Sequence, residues 1–475
     1  MSLLALEPSG YSRRCPEETS LHRLVSRWLP TFLDRSSSAG GLPGFVTRTL
    51  REYLTCGLLS HGFARVRCPV CCDDLLVARS CKRRGLCPSC DGRRMGDTAA
   101  RLVERVLPDV PVRQWVLSFP WALRRLLAYN AKLTSAVLAV FIGAVERFYA
   151  RAGAMRHGTP SGRTGSVTVV QRFGSALNLN PHFHALFLDG VMTRRTPDGP
   201  VRFVRLRTLS DADVSLVLDE TLEGLRRLFA RRSEEVSLVE EDPSEGEGGT
   251  LALQQLALGS LDGTSPLGPP PTRDGTGERR PTRRTPKRLC ADMAGFSLHA
   301  ATTASHRSDV EVLCRYILRP PLAIDRLTLR EDGHVALALP RAWSDGTTTL
   351  TFEPLAFISR LVPLIPAPRS HQIRYHGVLA PNAAWRPEVV PGGAAGPGRR
   401  CGESSEPRRP RLLWAQLLKR CFDVDVLRCA RCGARREVLA VVMRPQPVRA
   451  ILTHLDLVGV QGAPRPPPPG QLSLI

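Results

Sequence analysis

The distribution of cysteines constrains this chain more than any other feature of its 475 residues. Eight of the 14 cysteines lie at or before Cys90, and none falls between Asp91 and Leu289. Clustered cysteines in a reducing compartment are more typical of metal binding than of a disulfide framework. The N-terminal side of the chain is therefore expected to bind metal.

Two C-x-x-C knuckles, Cys68 to Cys71 and Cys87 to Cys90, are separated by residues 72 to 86. A tetrahedral zinc ion lies ~2.3 Å from each cysteine sulfur, and ligands paired on tight turns supply this geometry. The spacing predicts one zinc site made by Cys68, Cys71, Cys87 and Cys90. Either Cys81 or His61 could replace one of these ligands.

The charge balance favours a polyanionic partner. The chain has 66 Lys and Arg residues against 44 Asp and Glu, for a formal net charge of +22. Nucleic acid is the commonest partner of so basic a protein, although codon bias in a GC-rich genome would also enrich arginine. Basic residues surround the cysteines, and those predicted to contact DNA, chiefly through phosphates, are Arg83, Arg84, Arg93 and Arg94. The competing interpretation is a structural zinc module with a solvated basic face.

The sequence gives no sign of a membrane span or a signal peptide. The best apolar candidate, Leu133 to Val145, is shorter than the ~20 residues that a span needs. The N-terminus lacks a basic region followed by a long apolar run. A cytoplasmic, nucleoid-associated bacterial protein is expected.

Composition divides the chain into several regions. An N-terminal helical and zinc-binding region (1–100) precedes an α+β catalytic domain (101–381) with an antiparallel sheet. Residues 236–288 open acidic and turn rich in Pro, Gly and Arg, so they are predicted to be a disordered insertion. A linker (382–410), a small C-terminal unit (411–460) and a Pro-rich tail (461–475) follow. In that unit Cys429 and Cys432 form half a knuckle, which Cys421, His454 or another chain would have to complete.

A histidine pair, His182 and His184, lies in a segment that reads as a strand entered through the turn Asn180-Pro181. Residues two apart on a strand face the same way, so the two imidazoles should lie side by side. They would form half of a metal site, with Gln171 on a neighbouring strand as the candidate third ligand. The alternative is two polar residues on an exposed face.

A tyrosine, Tyr316, falls on a predicted helix that begins at the capping-box pattern Ser308 to Glu311 and ends before Pro320 and Pro321. Val310, Leu313, Cys314 and Ile317 should form its buried stripe. Tyr316 would lie at the edge of that stripe, well placed to attack a phosphate. The neighbouring Arg315 and Arg319 are further candidates for contact with DNA. The alternative is an ordinary tyrosine that covers the helix edge, and Tyr375 is the fallback nucleophile.

Together these residues resemble the rolling-circle, or HUH-type, transposases. They are most similar to the insertion-sequence family ninety-one and its insertion-sequence-common-region relatives. The resemblance spans nearly the whole chain. Its segments are Ser80 to Cys90 with Arg93-Arg94-Met95, Pro111 to Pro120, the His-hydrophobe-His stretch Gln171 to Asp189, Cys314 to Leu322 with the tyrosine, and Arg374 to Pro381.

The resemblance implies a transposase that nicks and transfers single-stranded or hairpin DNA ends. His182 and His184 would bind Mg²⁺ or Mn²⁺, and Tyr316 would form a 5′-phosphotyrosine. No ATP would be needed, and no P-loop motif is present in the sequence. Where some members carry a second tyrosine one turn earlier, Val312 stands here, which implies the single-tyrosine branch.

Two other functions fit the same residues. A replication initiator or relaxase would use the same histidine and tyrosine chemistry at an origin. An inactive zinc-finger DNA-binding protein would keep the basic cysteine-rich module without the chemistry. Oligomeric state is not predicted.

Overall fold

The computed structural model describes residues 14–38, 40–158, 161–206, 208–236, 251–275, 288–392, 415–416, 418–419 and 424–455. Within them, the α-helices are α1 Ser20–Ser38, α2 Gly44–Leu54, α3 Pro88–Arg105, α4 Trp121–Tyr129, α5 Ala131–His157, α6 Asp211–Val236, α7 Leu251–Asp262, α8 Arg307–Ile317, α9 Pro354–Leu361, α10 Arg386–Val389 and α11 Pro445–His454.

The strands of the described residues are β1 Phe63–Arg67, β2 Asp74–Ala78, β3 Val112–Ser118, β4 Gly165–Phe173, β5 Leu179–Leu188, β6 Gly190–Thr193, β7 Arg202–Arg205, β8 Thr272–Gly275, β9 Cys290–Met293, β10 Phe296–His299, β11 Thr303–Ala304, β12 Leu327–Leu329, β13 Val335–Ala338, β14 Thr347–Phe352, β15 Ile373–Gly377 and β16 Glu437–Val442. Helices packed on antiparallel sheets confirm the α+β class.

The central sheet has the strand order β15-β4-β5-β3-β10-β9, with β11 also paired to β3. All of its pairings are antiparallel. Strand β5 is buried along nearly its whole length because both faces of the sheet are covered. On one face Trp115, Phe183 and Phe187 pack against α5 and α6. The other face carries the histidines and packs against α3 and α8.

Helix α5 is the long apolar helix behind this sheet. It starts where the Asn130 side chain accepts a hydrogen bond from the Leu133 amide, and it ends at Gly158 in a left-handed conformation. Its stretch Ala131–Met155 is long and apolar enough to cross a membrane by length and composition, with 56% of that window buried in the protein. The helix is therefore longer than the Leu133 to Val145 segment, and its burial is that of a core helix.

The prediction that residues 236–288 form a disordered insertion is wrong for their middle part. Residues 251–262 form α7, in which Leu253, Leu256 and Ala257 are almost completely buried. Strand β8 pairs with β14 and extends the small sheet β12-β13-β14-β8. This sheet shares a second core with α1, α2, α7 and α9. Residues 237–250 and 276–287 of the insertion lie outside the described residues.

The two ends of the chain meet in a three-stranded sheet of order β16-β1-β2. Phe63 of β1 lies opposite Val442 of β16 and opposite Ala78 of β2. Helix α11 packs its Val448 and Leu452 onto Phe63. The unit predicted at 411–460 is thus joined to the N-terminal region, while the rest of the linker after Gly392 and the Pro-rich tail lie outside the described residues.

Candidate active site and metal centres

The two histidines lie side by side on β5, as the alternation of a strand requires. Their ring centroids are 4.8 Å apart. Gln171 of β4 is the cross-strand partner of His182, so its side chain projects from the same face of the sheet. The structure therefore brings together the three residues predicted as metal ligands.

Both imidazoles are buried, which disfavours their charged forms. Burial lowers the pKa of His182 to about 4, with smaller contributions from Arg319 and Arg124. Burial, with the neighbouring His182, also holds the pKa of His184 well below its usual range. A neutral imidazole keeps a nitrogen lone pair, which is the form that binds a metal ion.

Each ring is oriented by a contact at Nδ1. His182 Nδ1 lies 2.7 Å from the Asn180 carbonyl oxygen, so it donates its proton there. His184 Nδ1 lies 2.6 Å from the amide nitrogen of Gln114 on β3. Metal binding through Nε2 needs the proton on Nδ1. A protonated Nδ1 needs a hydrogen-bond acceptor, and rotation of the Gln114 side-chain amide interchanges its nitrogen and oxygen. The amide oxygen would therefore face the ring. Gln114 was missed in the sequence, where its only signal is a polar residue that alternates with Val112 and Val116.

Two buried polar atoms at this place have no hydrogen-bond partner. They are His184 Nε2 and Gln171 Oε1, while the Gln171 amide nitrogen donates to the Ile317 carbonyl at 3.1 Å. A buried acceptor without a partner is costly, and a cation held by both atoms would satisfy them. The donor set of two imidazoles and one amide oxygen fits a divalent metal ion.

Tyr316 lies on α8, whose buried stripe is Val310, Leu313, Cys314 and Ile317 as predicted. The predicted capping box is wrong, because α8 begins at Arg307 with His306 at the cap and no side-chain cap bond. Glu311, expected to complete the box, instead pairs with Arg315 at 2.8 Å. Val312, at the position of the second tyrosine in some relatives, is 44% exposed.

Helix α8 places the Tyr316 phenol next to the histidine pair. The rings of Tyr316 and His184 have centroids 6.2 Å apart and lie nearly perpendicular. The Arg319 guanidinium carbon lies 4.3 Å from the Tyr316 ring centroid. Arg319 therefore brings a positive charge to the phenol, whereas Arg315 is engaged with Glu311.

The fallback nucleophile, Tyr375, lies on edge strand β15 opposite Val167. Strand alternation puts it on the same face as Gln171 but further along β4. Its ring is half-buried and lies 5.9 Å from the guanidinium carbon of Arg386. Tyr316 is the tyrosine whose ring contacts a histidine of the pair.

Among the described residues, eight cysteines form two clusters of four, and each cluster has all its sulfurs within 4.8 Å of one another. One comprises Cys56, Cys81, Cys87 and Cys90; the other comprises Cys68, Cys71, Cys429 and Cys432. The predicted grouping of Cys68, Cys71, Cys87 and Cys90 around one zinc is therefore wrong. Cys68 and Cys71 group with the C-terminal cysteines, whereas Cys87 and Cys90 group with Cys56 and Cys81. His61 belongs to neither cluster.

The first cluster is buried under α2 and at the start of α3. Its Sγ–Sγ distances include 3.7 Å for Cys56–Cys90, 3.5 Å for Cys81–Cys90 and 3.6 Å for Cys56–Cys87. Sulfurs bound tetrahedrally to zinc would lie ~3.8 Å apart, given a bond of ~2.3 Å. Four thiol groups at these separations fit a structural zinc ion.

The arginines predicted to contact DNA near the cysteines differ in their surroundings. Arg83 forms a bidentate pair with Glu52, each contact 2.6 Å long. Arg84 donates to the Ser370 carbonyl at 2.9 Å, and burial lowers its pKa. Arg93 donates to Ser80 and Arg94 to the Lys82 carbonyl. Arg83 and Arg84 therefore serve the fold of this region.

Comparison with known proteins finds similarity to transposases. Residues 165–385 match a family model described as "Putative transposase", and residues 25–119 match one described as "Transposase zinc-binding domain". The chain is also similar to the transposase for insertion sequence element IS801 of Pseudomonas savastanoi pv. phaseolicola. The two are 26% identical over 413 residues, which cover 85% of each chain. No solved structure matches the chain.

Proposed function

We propose that this chain, a transposase of the IS91 family with an N-terminal zinc-binding domain, nicks and transfers single-stranded DNA through a 5′-phosphotyrosine at Tyr316. The observation that carries the proposal is the contact of the Tyr316 and His184 rings beside two unpartnered metal-binding atoms. The central sheet and α8 would then form an HUH-type nuclease core.

His182 and His184, each through Nε2, and Gln171 through Oε1 would hold the metal ion. A bound Mg²⁺ or Mn²⁺ would polarise the scissile phosphate. The protein's part is to bury both imidazoles, which disfavours their charged forms, and to direct their Nδ1 atoms to the Asn180 carbonyl and to the Gln114 amide. The Gln114 oxygen would face the ring and accept the Nδ1 proton of His184.

The nucleophile is the Tyr316 phenol oxygen. It forms a bond to phosphorus while the bond from phosphorus to the 3′ oxygen breaks, and the released 3′ oxygen takes a proton. Arg319 stabilises the negative charge of the phenolate after its proton is lost. One phosphodiester is exchanged for another, so the step needs no ATP, and attack by the free 3′-OH on the phosphotyrosine would complete strand transfer.

The test uses two matched variants, Tyr316→Phe and Tyr375→Phe, on a single-stranded hairpin oligonucleotide labelled at its 3′ end. With Mn²⁺, the wild type should form a covalent protein–DNA adduct on a denaturing gel. Tyr316→Phe keeps the ring and its packing but should form no adduct, and Tyr375→Phe should behave like the wild type. Zinc content serves as the check of folding.

A double variant tests the metal ligands. His182→Ala with His184→Ala should abolish the adduct and leave DNA affinity nearly intact, because affinity comes from the basic surface.

An adduct that forms in Tyr316→Phe but not in Tyr375→Phe would make Tyr375 the nucleophile. Cleavage that needs neither tyrosine would rule out the proposed chemistry.

A further inference from the structure

We propose that Cys68 and Cys71 bind a zinc ion jointly with Cys429 and Cys432, so that a second metal centre joins the two ends of the chain. The Sγ atoms of Cys68 and Cys432 are 3.5 Å apart, and so are those of Cys71 and Cys429. Four thiolates at such separations suit tetrahedral zinc. This site is distinct from the first cluster and from the proposed nuclease chemistry.

The two knuckles have the same backbone geometry. The Cys68 amide donates to the Asp73 carbonyl, and the Cys72 amide donates back to the Cys68 carbonyl. In the second knuckle the Cys429 amide donates to Ala434 and the Gly433 amide to Cys429, at equivalent positions. Cys72 and Gly433, the equivalent residues, both have a positive φ, 57° and 74°. Two tight turns of one kind that face each other form a zinc ribbon.

Contacts beside the sulfurs hold the knuckles together. Strand β16 pairs with β1 immediately next to both turns. The buried Arg436 side chain pairs with Asp73, next to the first knuckle, and donates to the Arg428 carbonyl at the second. An ion pair and a sheet therefore hold the four sulfurs close together.

The site has a consequence for folding. The zinc-binding family segment ends at residue 119, and Cys432 follows Cys68 by 364 positions. The N-terminal region can complete only one of its two metal sites by itself. The second zinc can bind only after the C-terminal knuckle has been synthesised, because zinc affinity depends on all four ligands.

The test measures zinc in the full-length protein by mass spectrometry after exhaustive dialysis. The wild type should hold two equivalents, and Cys429→Ser with Cys432→Ser should hold one. Cys72→Ser is the matched control, since Cys72 adjoins the knuckle yet lies outside both clusters. It should keep two equivalents.

Alkylation with iodoacetamide shows whether the ends share one ion. In the Cys68→Ser, Cys71→Ser variant, Cys429 and Cys432 should become reactive while Cys56, Cys81, Cys87 and Cys90 stay protected. A Cys432→His variant retains a zinc ligand and should keep both equivalents. Protection of Cys429 and Cys432 without Cys68 and Cys71, or two zinc ions in the Cys429→Ser, Cys432→Ser variant, would overturn the proposal.

Discussion

Gln114 is the residue at which the structure adds most to the proposed catalytic site. Its amide group contacts His184 Nδ1 at 2.6 Å and so restrains the tilt of that ring. With the amide oxygen turned toward the ring, it would also keep the proton on Nδ1. Partners of this kind typically contribute 10- to 100-fold to metal affinity or activity. We treat Gln114 as a positioning residue that acts through His184.

Gln114→Leu should therefore weaken Mn²⁺ binding by roughly 10- to 100-fold, measured by titration calorimetry on the zinc-loaded protein. The leucine keeps the volume but cannot accept the Nδ1 proton. Gln114→Glu restores an acceptor and should recover most of the affinity. Equal Mn²⁺ affinity in Gln114→Leu and the wild type would show that the contact does not position the ring.

At this scale the sequence predicted that the two proposed metal-binding histidines would share one face, but not the residues that support them. The alternation of a strand was enough to put His182 beside His184, and helix periodicity was enough to orient Tyr316. Gln114 could not be predicted, because its role depends on which strand lies next to β5. The pairing β3–β5 is a long-range contact that local patterns do not encode.

Among the elements, β5 is fixed in the sheet by a buried ion pair at its C-terminal end. Asp189 accepts two hydrogen bonds from Arg113 of β3, at 2.8 and 3.1 Å, and Tyr149 of α5 donates to it at 3.3 Å. The Arg113 and Asp189 side chains are only 8% and 6% exposed. This network joins β3, β5 and α5 behind the histidines.

Asp189→Asn should lower the free energy of unfolding by about 3–5 kcal/mol, because it leaves the Arg113 charge buried without a counter-charge. The measurement is the urea midpoint followed by circular dichroism. The control is Glu223→Gln, which removes the partner of the exposed Arg226 and Arg227 on α6. That change should leave the midpoint nearly unaltered, since solvent screens exposed pairs. A similar loss in both variants would contradict this account.

Two expectations about elements were wrong for physical reasons. The capping-box pattern at Ser308 failed because Arg307 donates to the Leu107 and Val103 carbonyls, which ties the first turn of α8 to the end of α3. Residues 251–262 were assigned to a disordered insertion because the composition of 236–288 as a whole concealed one short apolar helix. Helix α7 is stable through its contacts with α9 and α4, which lie far away in sequence.

At the scale of the whole molecule, cysteine chemistry was predictable but its connectivity was not. The clustering of cysteines indicated zinc, and the described part of the chain contains two groups of four. Spacing favoured pairing the nearer knuckles, Cys68–Cys71 with Cys87–Cys90. The structure pairs each of them differently because β16 returns the C-terminal knuckle to β1.

The net charge of +22 favours binding to DNA, and the arginines near the two cysteine clusters differ in their availability for that contact. Arg83 and Arg84 are occupied by Glu52 and by backbone carbonyls. Arg431 and Arg435, on the C-terminal knuckle, have exposed side chains. An exposed guanidinium can approach a phosphate without breaking an existing contact, so the ribbon surface is the better candidate for contact with the DNA backbone.

Replacing Arg431 and Arg435 with Ala should therefore flatten the salt dependence of single-stranded DNA binding. Each lost phosphate contact should change the slope of log affinity against log salt by ~0.7, so the pair should change it by about 1–2. Fluorescence anisotropy of a labelled hairpin oligonucleotide between ~50 and ~200 mM salt gives the slope. Arg83→Ala with Arg84→Ala is the matched pair and should keep the wild-type slope while lowering thermal stability.

The two arginine pairs separate contact with DNA from support of the fold. A flatter slope in the Arg83, Arg84 variant, with both zinc ions retained, would place the phosphate contacts beside the first cysteine cluster. An unchanged slope in the Arg431, Arg435 variant would remove the ribbon from the DNA-binding surface. Because both variants leave Tyr316 and the histidines intact, adduct formation at saturating DNA should persist in each, and its loss would reveal damage to the nuclease site rather than to binding.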